Sequence, residues 1–356
     1  MTQYPPQARR YRPHPVRRRN RWGALRVGLI VLLAAILVVA GLLIVRLAAF
    51  NGRVSTAPGL TSAMLGGLAF GEDRINVLII GYGGEEHAGA FLSDSMNVAS
   101  IDPATDTTTL IPVPRDLWIE GDPVIPENGK VNQAFALGVA DGGVDTGGER
   151  AAEVVSRVTG LDVSLWIALD FDGFATMVDS VGGVTVNNPT AFRYGGPDAA
   201  TTGQWDDAFS AGEITLTGEQ ALYYARTRYT DVTAESSDFA RSVRQQQILN
   251  ALVEKVAAGL PWSTPVALDA TDAAAPHLRT NMSVIDLGLF ALNARPDRRV
   301  ELAEDQILEA TTTTDGQYAL VVIGRASPRD YEPLQEFIRV QLADPPSAAR
   351  PTDIAD

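Results

Sequence analysis

The chain has no cysteine, only two lysines and only three histidines in its 356 residues. Without cysteine there can be no disulfide framework, thiolate metal site or thiol nucleophile. A domain of this length can bury enough apolar surface to fold without such staples. His14, His87 and His277 show no metal-ligand spacing, which argues against a zinc site. With Lys130 and Lys255 the only lysines, nearly all positive charge is guanidinium. Acidic residues are missing from the first 53 positions, where ten Arg stand with no Asp, Glu or Lys; 19 basic and 43 acidic residues remain beyond.

The one long apolar run, "VGLIVLLAAILVVAGLLIV" (27–45), carries no charge and no polar side chain. A helix of that length spans roughly 28 Å, close to the thickness of a bilayer's hydrocarbon core. The basic flank before it places residues 1–26 in the cytoplasm as a disordered tail, and the rest of the chain outside the cell membrane as the C-terminal part of a single-pass protein. A cleaved signal peptide would have a shorter apolar region. Ten arginines beside a membrane are explained by topology and anionic lipid, so nucleic acid is not an expected partner.

After a Gly/Ser/Thr/Ala-rich linker (46–73), short apolar strands at 75–80, 96–101, 108–113 and 163–169 alternate with helical patterns at 147–160, 171–183, 217–226 and 237–259. Further elements are expected at 283 onward, 298–303, 317–323 and 328–342. This alternation predicts one mixed-sheet α/β/α layered domain over 74–343, preceded by one N-terminal transmembrane helix. The tail 344–356 reads as disordered. Phe171, Phe174, Met177 and Val178 would line a tunnel for a lipid or, on the usual preference of such residues, pack into the core.

Four arginines, Arg226, Arg228, Arg241 and Arg244, fall within nineteen positions of an acidic chain. Arg241, Arg244 and Gln245 are spaced i, i+3, i+4 on one helix face. Arg226 and Arg228 form an extended i, i+2 pair. Planar guanidinium forks match phosphate oxygens in charge and shape. A solvated helix face paired with Asp231, Glu235 and Asp238 explains the same pattern. Asp94 in "LSDSM" and Arg115 and Asp116 in "IPVPRDLW" stand at strand ends, where pockets form in open α/β sheets. A carboxylate beside a pyrophosphate needs a hard cation between them, and Mg²⁺ is the standard solution. "GKVNQAF" adds Lys130 and Asn132 at the mouth of a helix.

Taken in order over 74–255, these segments resemble the LytR-CpsA-Psr family of cell-envelope proteins. The resemblance implies a membrane-anchored phosphotransferase that moves a glycopolymer from an undecaprenyl pyrophosphate carrier to peptidoglycan, with Mg²⁺ as cofactor. A lipid-pyrophosphate-binding protein and a polyprenyl pyrophosphate phosphatase are the alternatives. By motif, Asp94 is similar to the family's magnesium-binding aspartate, and Arg115 to its pyrophosphate-binding arginine. Arg226, Arg228, Arg241 and Gln245 match the rest of the pyrophosphate pocket. Asp116, Lys130, Asn132, Asp238 and Arg244 match motif positions, with Asp116 a candidate base. Two positions depart from the pattern: Tyr82 stands where many members have an aspartate that shares the metal, and Leu92 where many have an arginine. Glu85, Glu86 and His87 are the nearby candidates to replace the missing ligand.

Overall fold

The structure is a computed structural model that describes residues 41, 44–57, 62–71, 73–87, 89–258, 275–293, 296–300, 302 and 306–343. The chain divides into two units, 1–47 and 48–356. In the first, the described residues 41 and 44–47 are helical. The basic tail, the tail 344–356 and all of the expected membrane span but 41, 44 and 45 lie outside the described residues. Among the described residues no helix is long and apolar enough to cross a membrane.

The second unit begins with helical residues 48–54. There follow α1 (Met64–Phe70), β1 (Ile75–Tyr82), β2 (Ser93–Asp102), β3 (Thr107–Pro112), β4 (Trp118–Ile119) and β5 (Gly129–Lys130). Next come α2 (Gln133–Gly142), α3 (Val144–Thr159), β6 (Leu165–Asp170), α4 (Phe171–Ser180), β7 (Val184–Asn188), β8 (Phe192–Tyr194) and α5 (Ala199–Thr202). Then stand β9 (Asp207–Phe209), β10 (Gly212–Leu216), α6 (Gly218–Arg226), α7 (Asp238–Ala258), β11 (Leu278–Thr280) and α8 (Val284–Asn293). β12 (Pro296–Arg299), β13 (Leu308–Thr312), β14 (Tyr318–Val322) and α9 (Glu332–Ala343) complete it.

The main sheet is mixed, in the order β11-β6-β1-β2-β3-β12. β1 runs antiparallel to β2 and parallel to β6. Successive side chains of a strand point to opposite faces, so a strand covered on both sides reads as an unbroken apolar run, as "INVLII" does. Leu78 and Ile80 pack with Trp166, Phe135 of α2, Val155 of α3 and Ile338 of α9. Val77, with Ala99 and Ile101, packs against Met64 of α1 and Phe290 of α8. Helices therefore cover both faces of the sheet. A third core joins α4, α6 and α7 to β7, β8, β9 and β10 through Val178, Val186, Phe192, Phe209, Tyr224 and Ile248; Phe174 and Met177 pack against it.

Local signals set the helix ends. Thr217 and Gln220 form the expected capping box of α6. Ser237 Oγ accepts from Ala240 N at 3.1 Å and starts α7. Gly160 ends α3 at φ 73°, a left-handed position that favours glycine. α4 stops at Ser180, short of the expected 183, because Gly182 and Gly183 turn the chain at φ 78° and 82°.

Part of the stretch read as linker is packed: Val54 and Met64 are fully buried. Residues 62–64 are held there by Asp286, a buried carboxylate that accepts from Met64 N (2.9 Å), Ala63 N (3.2 Å), Ser283 N (3.1 Å), Ser283 Oγ (2.9 Å) and Ser62 Oγ. Burial alone would push this carboxyl up; hydrogen bonds from Ser62, Met64, Ala63 and Ser283 outweigh it and hold it below the usual range. A depressed carboxyl stabilises the fold above its unfolded pKa and loses that contribution as pH falls through the folded value. Asp286→Asn should cost about 2 kcal/mol at neutral pH in urea unfolding, with the gap to the parent closing below about pH 4. A gap independent of pH would contradict this account.

Candidate active site

Strand ends from four parts of the chain meet at one edge of the sheet. Tyr82, the last residue of β1, faces Ser93 at the start of β2 across a register shift at Gly81/Tyr82. On its other side Tyr82 is in register with Asp170 at the end of β6. The turn after β3 is held by Val113 N donating to Met96 O (2.8 Å) and Leu117 N to Pro114 O (3.0 Å). That turn carries Arg115 to Asp94, with Nη1 2.6 Å from Oδ1.

The short β4–β5 pair brings in the next charge by placing Trp118 opposite Lys130. Lys130 Nζ donates to Asp116 Oδ1 at 2.7 Å, and Arg115 Nε reaches Asp116 Oδ2 at 3.4 Å. Backbone bonds lock the three segments together, Asn132 N donating to Arg115 O (3.4 Å) and Ser93 N to Asn132 O (3.2 Å). From the far side, Leu320 N of β14 donates to Asp116 O at 2.9 Å. Burial raises the Asp116 carboxyl, but the Lys130 hydrogen bond and the charges of Arg115, Lys130 and Arg228 more than offset it, and the net shift is downward. Asp116 is thus a firmly ionised counter-ion between two cations, a poor proton acceptor at neutral pH.

Arg226 arrives from α6. Its guanidinium lies 3.9 Å from the centroid of the Phe171 ring, the first residue of α4. α4 and α6 approach closely because position 218 is glycine, where a Cβ would meet the Ala175 carbonyl oxygen at 2.0 Å. Gly218 N also donates to Asp179 Oδ1 at 2.7 Å. Burial pulls the Arg226 guanidinium below its ordinary value; Asp94 and Tyr223 act against that, and Arg115 adds to it. Arg115 and Arg226 therefore share the field of Asp94, and Arg228 acts on Asp116.

Arg244 and Gln245 are placed differently. Arg244 is 2% exposed and donates to Tyr224 O (2.8 Å), Thr227 O (2.9 Å), Glu235 O (3.0 Å) and Glu235 Oε2 (2.8 Å). It is a strut that shapes the segment carrying Arg226 and Arg228, with its donors turned to the protein. Gln245 Nε2 donates to Ala225 O at 3.2 Å, beside Arg226. Arg241 is half-buried in the first turn of α7, its backbone N–H on Ser237 O at 3.1 Å. The Asp238 side chain lies outside what the structure describes. Asp231 pairs with Arg193, not with the arginines of the edge.

The donors available to a cation are oxygens. Asp94 offers one carboxylate; on the adjoining backbone Ser93 Oγ and Asn132 Oδ1 are buried with no hydrogen-bond partner among the described residues. Tyr82 supplies no second carboxylate; it is 4% exposed, its ring 4.9 Å from that of Phe135 and 6.0 Å from that of Phe91. Burial, with the Asp170 charge, pushes its phenol far up, so it stays neutral. Glu85 and Glu86 are exposed, and His87 meets the Phe171 ring edge-on at 5.4 Å. Among the described residues no group of three His, Cys, Asp or Glu is arranged to hold a metal. This set fits a hard cation that brings most of its oxygen ligands with it, as Mg²⁺ on phosphates does, and does not fit a protein-only cage. Leu92 is 38% exposed and adds no charge.

A model of the LytR_cpsA_psr family matches residues 63–327. The polyisoprenyl-teichoic acid–peptidoglycan teichoic acid transferase TagU of Oceanobacillus iheyensis is 34% identical over 189 residues, 52% of each chain. The alignment thus spans about half of that relative's length. The protein of the same name from Enterococcus faecalis is 27% identical over 276 residues, 76% of this chain and 80% of that one. Among solved structures, B. subtilis TagV superposes with a TM-score of 0.54 at 22% identity, covering 77% of this chain and 99% of the other. Protein gbs0355 of Streptococcus agalactiae gives 0.58 at 22% identity, covering 82% and 94%. At that identity the likeness is one of fold.

Proposed function

The chain belongs to the LytR-CpsA-Psr family, and from that premise we propose that it is a membrane-anchored transferase moving a glycopolymer from a polyprenyl diphosphate carrier to peptidoglycan. The observation that carries this reading is the meeting of Arg115 and Arg226, 111 positions apart in sequence, in the field of Asp94. Arg115 pairs with Asp94, Arg115 and Lys130 pair with Asp116, and the charges of Arg226 and Arg228 act on Asp94 and Asp116, so four cations are set against two carboxylates. The excess of positive charge suits an anionic diphosphate diester, and arginine forks fit its oxygens.

In the reaction, a peptidoglycan hydroxyl oxygen attacks the phosphorus nearest the glycan. The bond from that phosphorus to the bridging oxygen breaks, polyprenyl monophosphate leaves with the electron pair, and the hydroxyl proton passes to solvent. Arg115 and Arg226 bind the diphosphate and meet the charge that grows on the leaving oxygens, the usual source of rate in phosphoryl transfer. Asp116 positions Lys130 and Arg115. Asp94 would hold a magnesium ion that arrives on the diphosphate, and that ion would supply further charge neutralisation. The apolar run 27–45 would anchor the chain with the site outside the cell.

The test is to incubate the full chain with Mg²⁺, a glycan-bearing polyprenyl diphosphate and peptidoglycan. The expected result is polyprenyl monophosphate released only when the acceptor is present, with the rate falling when EDTA removes the cation. Release without acceptor would identify a phosphatase. Retained lipid with no release would identify a carrier-binding protein.

A further inference from the structure

Beside the arginines lies an aromatic surface that the diphosphate chemistry leaves unused. Tyr223 is 48% exposed, on the same helix as Arg226 and three residues before it, so the two side chains share a face. The Tyr223 ring is stacked on Tyr194, with centroids 5.6 Å apart and planes at 29°. Tyr194 is stacked in turn on Phe209, at 4.9 Å and 17°. Tyr194 and Phe209 are 7% and 6% exposed, fixed in the paired strands β8 and β9. Tyr223 is therefore the outer ring of a three-ring pile whose inner members cannot move away. It is held from behind and open to solvent in front.

We propose that Tyr223 is the platform for the first sugar of the donor glycan, the ring joined directly to the diphosphate. The proposal rests on the diphosphate reading of Arg115 and Arg226 and adds a residue that reads the saccharide. A pyranose is apolar on its CH faces, and a fixed aromatic face complements them. Because the sugar is one bond from the phosphate, a diphosphate gripped by Arg226 brings that ring to the same helix face. Holding the ring in place beforehand lowers the entropy lost when the sugar settles on it. Peptidoglycan also carries sugars, but an acceptor ring would approach the phosphorus from the side opposite the leaving group. The adjacency of Tyr223 to a phosphate-binding guanidinium favours the donor.

The experiment compares the full chain with Tyr223→Ala and Tyr223→Phe, using two probes: bare polyprenyl diphosphate and the same lipid carrying one N-acetylhexosamine. Tyr223→Ala should weaken binding of the glycosylated lipid about tenfold and change the bare lipid less than about twofold, while Tyr223→Phe, which keeps the ring, should bind both about as well as the parent. Unchanged affinity of Tyr223→Ala for the glycosylated lipid overturns the proposal. An equal loss on both lipids also overturns it, since that is what a merely structural ring would give. A raised KM for the peptidoglycan acceptor with donor binding intact overturns it in favour of an acceptor ring. Arg226→Ala serves as the control for the diphosphate reading and should lose both lipids. If it loses neither, the function proposed above fails whatever Tyr223 does.

Discussion

Arg115→Ala is expected to lower acceptor-dependent release of polyprenyl monophosphate about a thousandfold while leaving urea unfolding within about 1 kcal/mol of the parent. The activity loss has two parts. A guanidinium that meets developing charge is removed, a change worth about two to three decades in rate for a single well-placed donor. Asp94, whose Oδ1 lies 2.6 Å from Arg115 Nη1, also loses the partner that fixes its carboxylate where the diphosphate and its cation bind. The stability cost is small because the Arg115 side chain is 27% exposed and Asp116 keeps Lys130. Arg115→Lys should recover charge without the planar fork, so kcat should stay far below the parent even where KM recovers. A variant whose loss appears only in KM would place Arg115 in ground-state binding alone.

What could be read from the sequence was whatever depends on neighbours a few residues away. Asp94 and Arg115 were findable because one stands at the start of β2 and the other in the turn just past β3, and strand ends gather at a sheet edge; Lys130 was findable from its place just before α2. The capping box of α6 and the glycine stop of α3 are local in the same sense. The support of Arg226 was not findable that way. Phe171 reads as a core or tunnel residue, and only the close approach of α4 to α6 at Gly218 turns its ring into a seat for a guanidinium. β7 to β10 escaped notice because strands of three to five residues, with polar positions on their open sides, lack the apolar run that marked β1. The hold on residues 62–64 needed Asp286, more than 200 positions away. The sequence signal for Tyr223 is a second tyrosine beside buried Tyr224, but helical spacing does not say which of the two is covered.

Arg244 shows the same limit most sharply, and it carries the other large prediction. Spacing put Arg241, Arg244 and Gln245 on one face of α7, yet it could not say what packs on that face. The segment 224–235 does, and Arg244 bonds to three of its carbonyl oxygens and to the Glu235 carboxylate. Arg244→Ala would leave those carbonyls without their donor and Glu235 as an unpaired, largely buried charge, at a cost of about 3–5 kcal/mol. Diphosphate binding should fall with it, because Thr227 sits between Arg226 and Arg228 and loses the bond that holds it. Arg244→Lys should recover little, since one ammonium cannot serve carbonyls spread around a planar fork. Glu235→Gln should cost less, about 1–2 kcal/mol, because the carbonyl bonds remain. The two arginine roles then separate in one pair of measurements: Arg226→Ala loses the lipid with urea unfolding unchanged, whereas Arg244→Ala loses both together. Lost binding at parental stability in Arg244→Ala would instead make Arg244 a direct ligand of the phosphate.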